Sequence, residues 1–227
     1  MKNVAIIVAA GKGKRMGAKV PKQYLKVAGK EMLAHAIDGF EEIGVIDAIL
    51  LVVEDKYMGF VEDKIVKKYG YEKVLAVIEG GKHRFESVYN AMKYLKKINP
   101  VNVLIHDAAR PLIDQTLVLK IVKELKNEQA VIPVKRIFAT VKMIGKNYVE
   151  KTVDREFLRT SQTPQGFRYK ILLKLYNQIR LDKTKPTDEG VIFERAGYKV
   201  KALEDDSFNL KITTEQDLNI LKQMLEK

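Results

Sequence analysis

The chain has 227 residues and no cysteine, so it can bury one sizeable α/β core but cannot form disulfides or thiolate metal sites. No apolar run approaches the ~20 residues of a membrane span, and the opening MKNVAIIVAAGKG lacks a signal-peptide cleavage pattern, which predicts a cytoplasmic protein without a membrane partner. The formal net charge of +12 fits a lysine-rich surface, a nucleic-acid partner or a polyanionic small substrate.

Apolar runs typical of buried strands alternate with helical periods through the first part of the chain. Strands are predicted in VAIIVAA (4–10), AILLVVE (48–54), KVLAVIEGG (73–81), VNVLIHDAARP (101–111) and AVIPV (130–134). Helices are predicted over 32–40, 57–69 and 85–97, and after the N-cap candidate Asp114. This alternation predicts an α/β fold with a Rossmann-like, mostly parallel sheet flanked by helices and a ligand site at the carboxyl ends of the strands.

The pattern changes at TVKMIGKNYVEKTV (140–153), which alternates polar and apolar residues around the turn signal GKN. Such a hairpin has too little surface to bury itself, so we expect it to pack on a partner subunit. A helix within 184–198, a strand at 198–204 and a C-terminal helix capped by Thr213 or Thr214 follow. We therefore predict a single domain over 1–227 with a projecting β-arm subdomain over 136–156, used for dimerisation.

The loop AAGKGKRMGAKVPKQYL (9–25) resembles two phosphate-binding motifs and completes neither. Gly11 and Gly13 match a dinucleotide fingerprint, but Met16 occupies its third glycine position, and the P-loop pattern also fails. A plain glycine turn is the alternative. The loop also carries five cations, which favour a triphosphate: Lys12, Lys14, Arg15, Lys19 and Lys22.

Asp107 follows an apolar strand in HDAARP and should stand at the carboxyl edge of the sheet. One carboxylate there can hold Mg²⁺ together with phosphate oxygens and water. The alternatives are a helix cap or an ion pair with Arg110. The neighbouring His106 is interpreted as a packed, hydrogen-bonded residue.

Three further positions are candidates for ligand contacts. In EGGKHRFESV (79–88), the glycine pair lets the backbone approach a planar base and Ser87 can bond base or ribose, although a strand-to-helix turn explains the same pattern. Thr187 and Asp188 fit a helix cap as well as a ligand contact. Lys211 lies between two apolar residues, from where it could reach a phosphate across a cleft.

Taken in order, these motifs resemble those of the 2-C-methyl-D-erythritol 4-phosphate cytidylyltransferases. The matching segments span nearly the whole chain: AAGKGKRM, PKQYL, EGGKHRFESV, HDAARP, TVDREFL, TPQGF, TDEG and NLKIT. The resemblance implies a nucleotidyltransferase that joins CTP to methylerythritol phosphate and releases pyrophosphate in non-mevalonate isoprenoid biosynthesis. It also implies Mg²⁺ or another divalent cation as cofactor, and a homodimer.

The resemblance assigns roles residue by residue. Transition-state charge would be stabilised by Arg15, Lys22 and Lys211, and the metal bound by Asp107. Nucleotide contacts would come from Ala9, Ala10, Gly11, Gly13, Gly80, Gly81, Ser87 and Ala108. Contacts to the sugar phosphate would come from Arg110, Thr140, Arg155, Thr187 and Asp188. In the family the arm crosses to the other subunit, so Thr140 and Arg155 would serve the partner's site.

Two departures from the family pattern accompany the match. The segment PVKRIFATVK (133–142) is two residues longer than the family's and lacks its aspartate, and Lys82 follows the glycine pair where a smaller or acidic residue is usual. The alternative functions are a ribitol 5-phosphate cytidylyltransferase, a nucleic-acid-binding module driven by the net charge, and a Rossmann oxidoreductase. The dispersed basic residues favour a protein without a nucleic-acid partner.

Overall fold

The computed structural model describes residues 1–11, 20–178 and 186–226. The strands are β1 (Asn3–Val8), β2 (Lys26–Val27), β3 (Lys30–Glu31), β4 (Ala48–Val53), β5 (Val74–Glu79), β6 (Asn102–Asp107), β7 (Ala130–Arg136), β8 (Val141–Gly145), β9 (Tyr148–Val153), β10 (Arg159–Ser161), β11 (Gln165–Arg168) and β12 (Lys201–Glu204). The α-helices are α1 (Met32–Glu41), α2 (Met58–Val61), α3 (Lys67–Tyr69), α4 (Arg84–Tyr94), α5 (Gln115–Glu124), α6 (Tyr169–Gln178), α7 (Glu189–Arg195) and α8 (Glu215–Leu225). None of the helices in these ranges is long and apolar enough to cross a membrane.

An eight-stranded mixed sheet forms the centre of the molecule. Strands β7, β11, β6, β1, β4 and β5 lie side by side in that order, and β10 and β12 also pair with β7. β1 is parallel to both β4 and β6, and β11 runs antiparallel between β6 and β7. The fold class is confirmed: the sheet is mostly parallel, and the carboxyl ends of β1, β4, β5 and β6 share one edge.

The apolar runs form central strands because the sheet is covered on both faces. Along β1, Val4 and Ile6 pack into one core while Ala5 and Ile7 pack into the other, as the two-residue period of a strand requires. Helices α4, α6 and α7 cover the face that carries Val4 and Ile6, and α1 and α5 cover the opposite face. These two layers hold the carboxyl edge of the sheet in a fixed position.

Several predicted elements differ in detail from the structure. The helix predicted over 57–69 is broken into a 3₁₀ turn (Asp55–Tyr57), α2, a π-helical turn (Glu62–Val66) and α3. The helix predicted over 85–97 begins at Arg84, ends at Tyr94 and continues as a 3₁₀ turn over Leu95–Lys97. Of the two predicted caps of α8, Thr214 is the one that accepts from the Asp217 N–H. Asp114 caps α5 as predicted, since its carboxylate accepts from the Leu117 N–H.

The hairpin forms where it was predicted, as an antiparallel pair of β8 and β9 outside the main sheet. Its side chains are mostly exposed, including Tyr148 at 80% and Ile144 at 57%, and Phe157 just beyond it is 83% exposed. The hairpin of β8 and β9 is called the arm below, and the bounds 136–156 of an arm subdomain stay a prediction. The pairing of this arm with a second subunit stays a prediction.

Candidate active site

A cleft of about 870 Å³ opens at the carboxyl edge of the sheet. Its walls come from the ends of β1, β5 and β6, the turn after Pro21 and the segment before α8. The predicted site residues that line it are Ala9, Ala10, Gly11, Lys22, Gly80, Gly81, Ser87, Asp107, Ala108 and Lys211. Parallel strands bring these distant motifs together because their carboxyl ends lie at the same edge.

The glycine pair after β5 forms a tightly packed wall of the cleft. A Cβ atom at Gly80 would approach the Ala10 Cβ to 2.4 Å, and one at Gly81 would approach the Glu86 Cβ to 2.3 Å. The Gly81 N–H donates to the Ser87 hydroxyl at 3.0 Å, and that hydroxyl donates to the His83 carbonyl at 3.2 Å. Both glycines are thus required by close packing in a strand-to-helix turn that also borders the cleft.

The start of the glycine loop is anchored by the turn that follows it. The side-chain amide of Gln23 donates to the carbonyl oxygens of Ala9 at 2.6 Å and Gly11 at 2.9 Å. The Lys22 ammonium donates to the carbonyl oxygen of Ile212, which places it beside the segment that carries Lys211. Two predicted site residues, Gly13 and Arg15, lie outside the described residues, as do Lys12, Lys14 and Lys19.

Four charged side chains form a chain of ion pairs across the base of the cleft. Asp107 accepts from Lys211 Nζ at 2.6 Å through Oδ2 and from Arg84 Nε at 2.9 Å through Oδ1. Arg84 Nη1 also donates to both carboxylate oxygens of Glu189, at 2.9 and 2.7 Å. Asp107 thus pairs with Arg84 and Lys211 rather than with Arg110, the ion-pair partner considered from sequence.

The electrostatics keep Asp107 ionised. Burial alone would raise the pKa of its carboxyl group, but the adjacent cations Arg84 and Lys211 hold that pKa well below its usual range. Burial would lower the pKa of Arg84, and the carboxylates of Glu189 and Asp107 instead raise it. An anionic carboxylate and a cationic guanidinium are therefore the stable states at neutral pH.

His106 is packed and hydrogen-bonded, as interpreted from sequence. Its ring is fully buried, with Nε2 at 2.8 Å from the Arg110 carbonyl oxygen and Nδ1 at 3.1 Å from the Thr163 hydroxyl. Burial lowers the pKa of this imidazole to about 4, so it is neutral near pH 7. It links the end of β6 to the Arg110 loop and to Thr163, and it is not among the residues that line the cleft.

The predicted sugar-phosphate residues lie outside the cleft wall. Arg110 is buried and donates to the Asn209 carbonyl oxygen at 2.5 Å, while Thr140 and Arg155 are exposed next to the ends of the arm. Asp188 caps α7 by accepting from the Val191 N–H at 3.2 Å, and it also accepts from Gln165 Nε2 at 2.9 Å. Thr187 is exposed beside this cap.

Sequence reasoning assigned no role to Arg84 or Glu189. Arg84 lay in the motif after the glycine pair, and Glu189 lay in TDEG, so both were inside recognised segments. Their pairing joins residues that are 105 positions apart, which local pattern does not predict. The sequence does carry one signal, because Glu189 lies two residues before the apolar run VIF (191–193), and a glutamate buried beside such a run needs a partner.

A Rossmann-like sheet with glycine turns and cationic side chains around a cleft at its carboxyl edge defines a nucleotide-binding α/β enzyme. The family model described as IspD, 2-C-methyl-D-erythritol 4-phosphate cytidylyltransferase, matches residues 3–227. The chain belongs to this family, which confirms the resemblance inferred from its motifs.

Individual relatives agree with the family match. The 2-C-methyl-D-erythritol 4-phosphate cytidylyltransferase of Alkaliphilus oremlandii is 38% identical over 226 residues, covering 99% of this chain and 95% of that protein. The crystal structure of 4-diphosphocytidyl-2C-methyl-D-erythritol synthase from Anaerococcus prevotii has a TM-score of 0.86 at 30% identity, covering 100% of this chain and 99% of that one. The corresponding cytidylyltransferase of Francisella tularensis has a TM-score of 0.82 at 31% identity, covering 98% and 99%.

Proposed function

We propose that this chain transfers the cytidylyl group of CTP to the phosphate of 2-C-methyl-D-erythritol 4-phosphate and releases pyrophosphate, a step of non-mevalonate isoprenoid biosynthesis. The observation that carries this proposal is the convergence of Lys22, Lys211 and Asp107 on one glycine-walled cleft in a chain that matches the family over residues 3–227. The cytoplasmic location stays a prediction.

The nucleotide would lie along the glycine wall. Because Gly80 and Gly81 have no side chains, the backbone of this turn can come close to a planar base. Ser87 would have to exchange its hydrogen bond to the His83 carbonyl for one to base or ribose. The remaining nucleotide contacts are proposed for Ala9, Ala10, Gly11, Gly13 and Ala108.

The reaction needs charge neutralisation and alignment more than proton transfer. An oxygen of the substrate phosphate forms a bond to the α-phosphorus of CTP. The bond from that phosphorus to the oxygen bridging the α- and β-phosphates breaks, and its electron pair leaves with pyrophosphate. A phosphate monoester is largely a dianion near pH 7, so the attacking oxygen carries no proton that must be removed. Lys22, Lys211 and Arg15 would stabilise the charge that builds on the pentavalent phosphorus.

Asp107 has the chemistry required to hold a divalent cation. Its carboxylate is anionic and faces the cleft, and each oxygen accepts one hydrogen bond, which leaves acceptor capacity on both. Mg²⁺ bound mainly by triphosphate oxygens and water needs only one or two protein carboxylates, so Asp107 fits that ion or a similar one. When bound, the ion supplies neutralisation of phosphate charge; Lys211 is partly exposed and able to turn from Asp107 toward a phosphate oxygen.

The sugar phosphate would be held by Arg110, Thr187 and Asp188 of one subunit together with Thr140 and Arg155 of its partner. The exposed apolar side chains of the arm support this homodimer, because Ile144 and Val149 remain 57% and 58% exposed within their own subunit. The arm is also too small to form a core by itself. Two copies exchanging arms would bury this surface and complete both sites.

The test is a pyrophosphate-release assay on the purified full-length chain with CTP, Mg²⁺ and a polyol phosphate. We expect turnover with 2-C-methyl-D-erythritol 4-phosphate and little with ribitol 5-phosphate. Turnover with ribitol 5-phosphate alone would replace the proposed second substrate. Absence of pyrophosphate release with both would overturn the proposed activity.

A further inference from the structure

Arg84 bridges two carboxylates on different elements: Asp107 lines the cleft, and Glu189 is buried at the start of α7. Its Nε donates to Asp107 at the end of β6, and its Nη1 donates to both oxygens of Glu189 at the start of α7. Asp107 belongs to the nucleotide side, where the end of β6 lies beside the end of β1 and the start of the glycine loop. Glu189 directly follows Thr187 and Asp188, which are proposed to contact the second substrate.

Burying the carboxylate of Glu189 costs free energy, because the charge is removed from water. Its side chain is 0% exposed, and it accepts a further hydrogen bond from the Tyr176 hydroxyl at 3.0 Å. Burying an ion pair often gains little stability over apolar residues of the same volume. The buried charge is therefore better explained by the geometry it imposes than by the stability of the fold.

The shape of the guanidinium suits a bridge between two anions. A planar fork can donate in two directions at once, whereas the ammonium of a lysine is a single point charge. The start of α7 is also bonded to the sheet, because the carboxylate of Asp188 accepts from Ser161 in β10 and from Gln165 in β11. Through Glu189, this first turn is linked by charge to the nucleotide side of the cleft.

We propose that Arg84 is a positioning residue that couples the two halves of the site, fixing the start of α7 relative to Asp107 so that the second substrate meets the nucleotide in line. This inference rests on the proposed function, since it assumes that Thr187 and Asp188 contact the polyol phosphate. Arg84 acts through Asp107 and Glu189 rather than on the reacting atoms.

Glu189→Gln gives the first test, because it keeps the shape of the side chain and removes its charge while leaving the Arg84–Asp107 pair in place. We expect the KM for the polyol phosphate to rise about tenfold or more and the KM for CTP to stay within about twofold. Arg84→Lys reaches one carboxylate at a time and should not restore the coupling. An exposed ion pair supplies the control: Lys67→Gln removes the contact to Asp63 and should change neither KM.

The double variant Arg84→Met with Glu189→Leu separates positioning from folding, because it leaves no unpaired charge at Glu189. We expect its melting temperature to recover relative to the single variants while the KM for the polyol phosphate stays high. Wild-type kinetics in this double variant, or equal rises of both KM values in Glu189→Gln, would overturn the inference alone. Absence of turnover in the wild type would overturn the proposed function, and the inference with it.

Discussion

The cleft and the arm differ in how far their side chains are buried and bonded within the subunit. In the cleft, Asp107 and Glu189 are buried and multiply bonded, and their positions follow from strands and helices that the core holds in place. In the arm, Tyr148 and Ile144 are exposed, and β8 and β9 pair with each other outside the main sheet. The positions of these cleft residues are thus set within one subunit, whereas the apolar side chains of the arm would be covered only in the proposed homodimer.

The largest expected effect is a loss of turnover caused by a substitution in the cleft. Lys22→Ala should lower kcat by about 10³-fold or more, because it removes a cation that we propose stabilises transition-state charge. Steady-state turnover and a thermal melt of the same preparation check this, the melt showing that the fold persists. Lys26→Ala is the matched control, since Lys26 lies four residues away, outside the cleft lining, and makes a long contact to Glu31 at 3.9 Å. Unchanged turnover in Lys22→Ala would remove this residue from the mechanism.

The second prediction is that His106 makes the stability of the fold depend on pH. Since burial lowers the folded-state pKa of His106 to about 4, the folded chain binds fewer protons than the unfolded chain between that value and the unfolded pKa of about 6.5. The free energy of unfolding should fall as the pH falls through this window, by about 3 kcal/mol from this residue. Denaturant titrations at several pH values should show a shallower slope in His106→Gln, and equal slopes in both proteins would contradict the assignment.

The third prediction is that each active site combines the cleft of one subunit with the arm of its partner. Lys22→Ala and Arg155→Ala homodimers should each be nearly inactive, yet a re-equilibrated equal mixture should recover about a quarter of wild-type activity, because half of its dimers carry one intact site. Activity measured after verified heterodimer formation provides the check. No recovery would mean that each site is complete within one subunit.

The smallest expected effect on the isolated subunit comes from the arm itself. Ile144→Thr should change the unfolding free energy of a subunit by less than about 0.5 kcal/mol, as exposed substitutions generally do, while weakening self-association. Sedimentation at several concentrations and a denaturant titration separate the two effects. Val52→Thr, which places a hydroxyl in the buried sheet, is the contrasting variant and should destabilise strongly. An unchanged dimerisation constant in Ile144→Thr would argue against the proposed interface.

The sequence predicts those features that follow from local apolar pattern and from the shared edge of parallel strands. The strands that end at Val8, Glu79 and Asp107 follow from apolar runs, and the segments after them meet at one edge because the strands are parallel. Sequence reasoning missed β11, a four-residue strand whose antiparallel place between β6 and β7 depends on distant partners. It also missed the Arg84–Glu189 pair for the same reason: tertiary packing, not spacing, brings the two side chains together.

The contact between Lys22 and the Ile212 carbonyl brings together two segments separated by 190 positions. The Ile212 N–H also donates to the Ala109 carbonyl at 2.8 Å, so the final segment before α8 is fastened to the loop after β6. All strands of the sheet end by Glu204, before this segment begins. A chain that terminates after β12 would contain every described strand of the sheet but lack the segment that borders the cleft, so the cleft is completed only by one of the last parts of the chain to be synthesised.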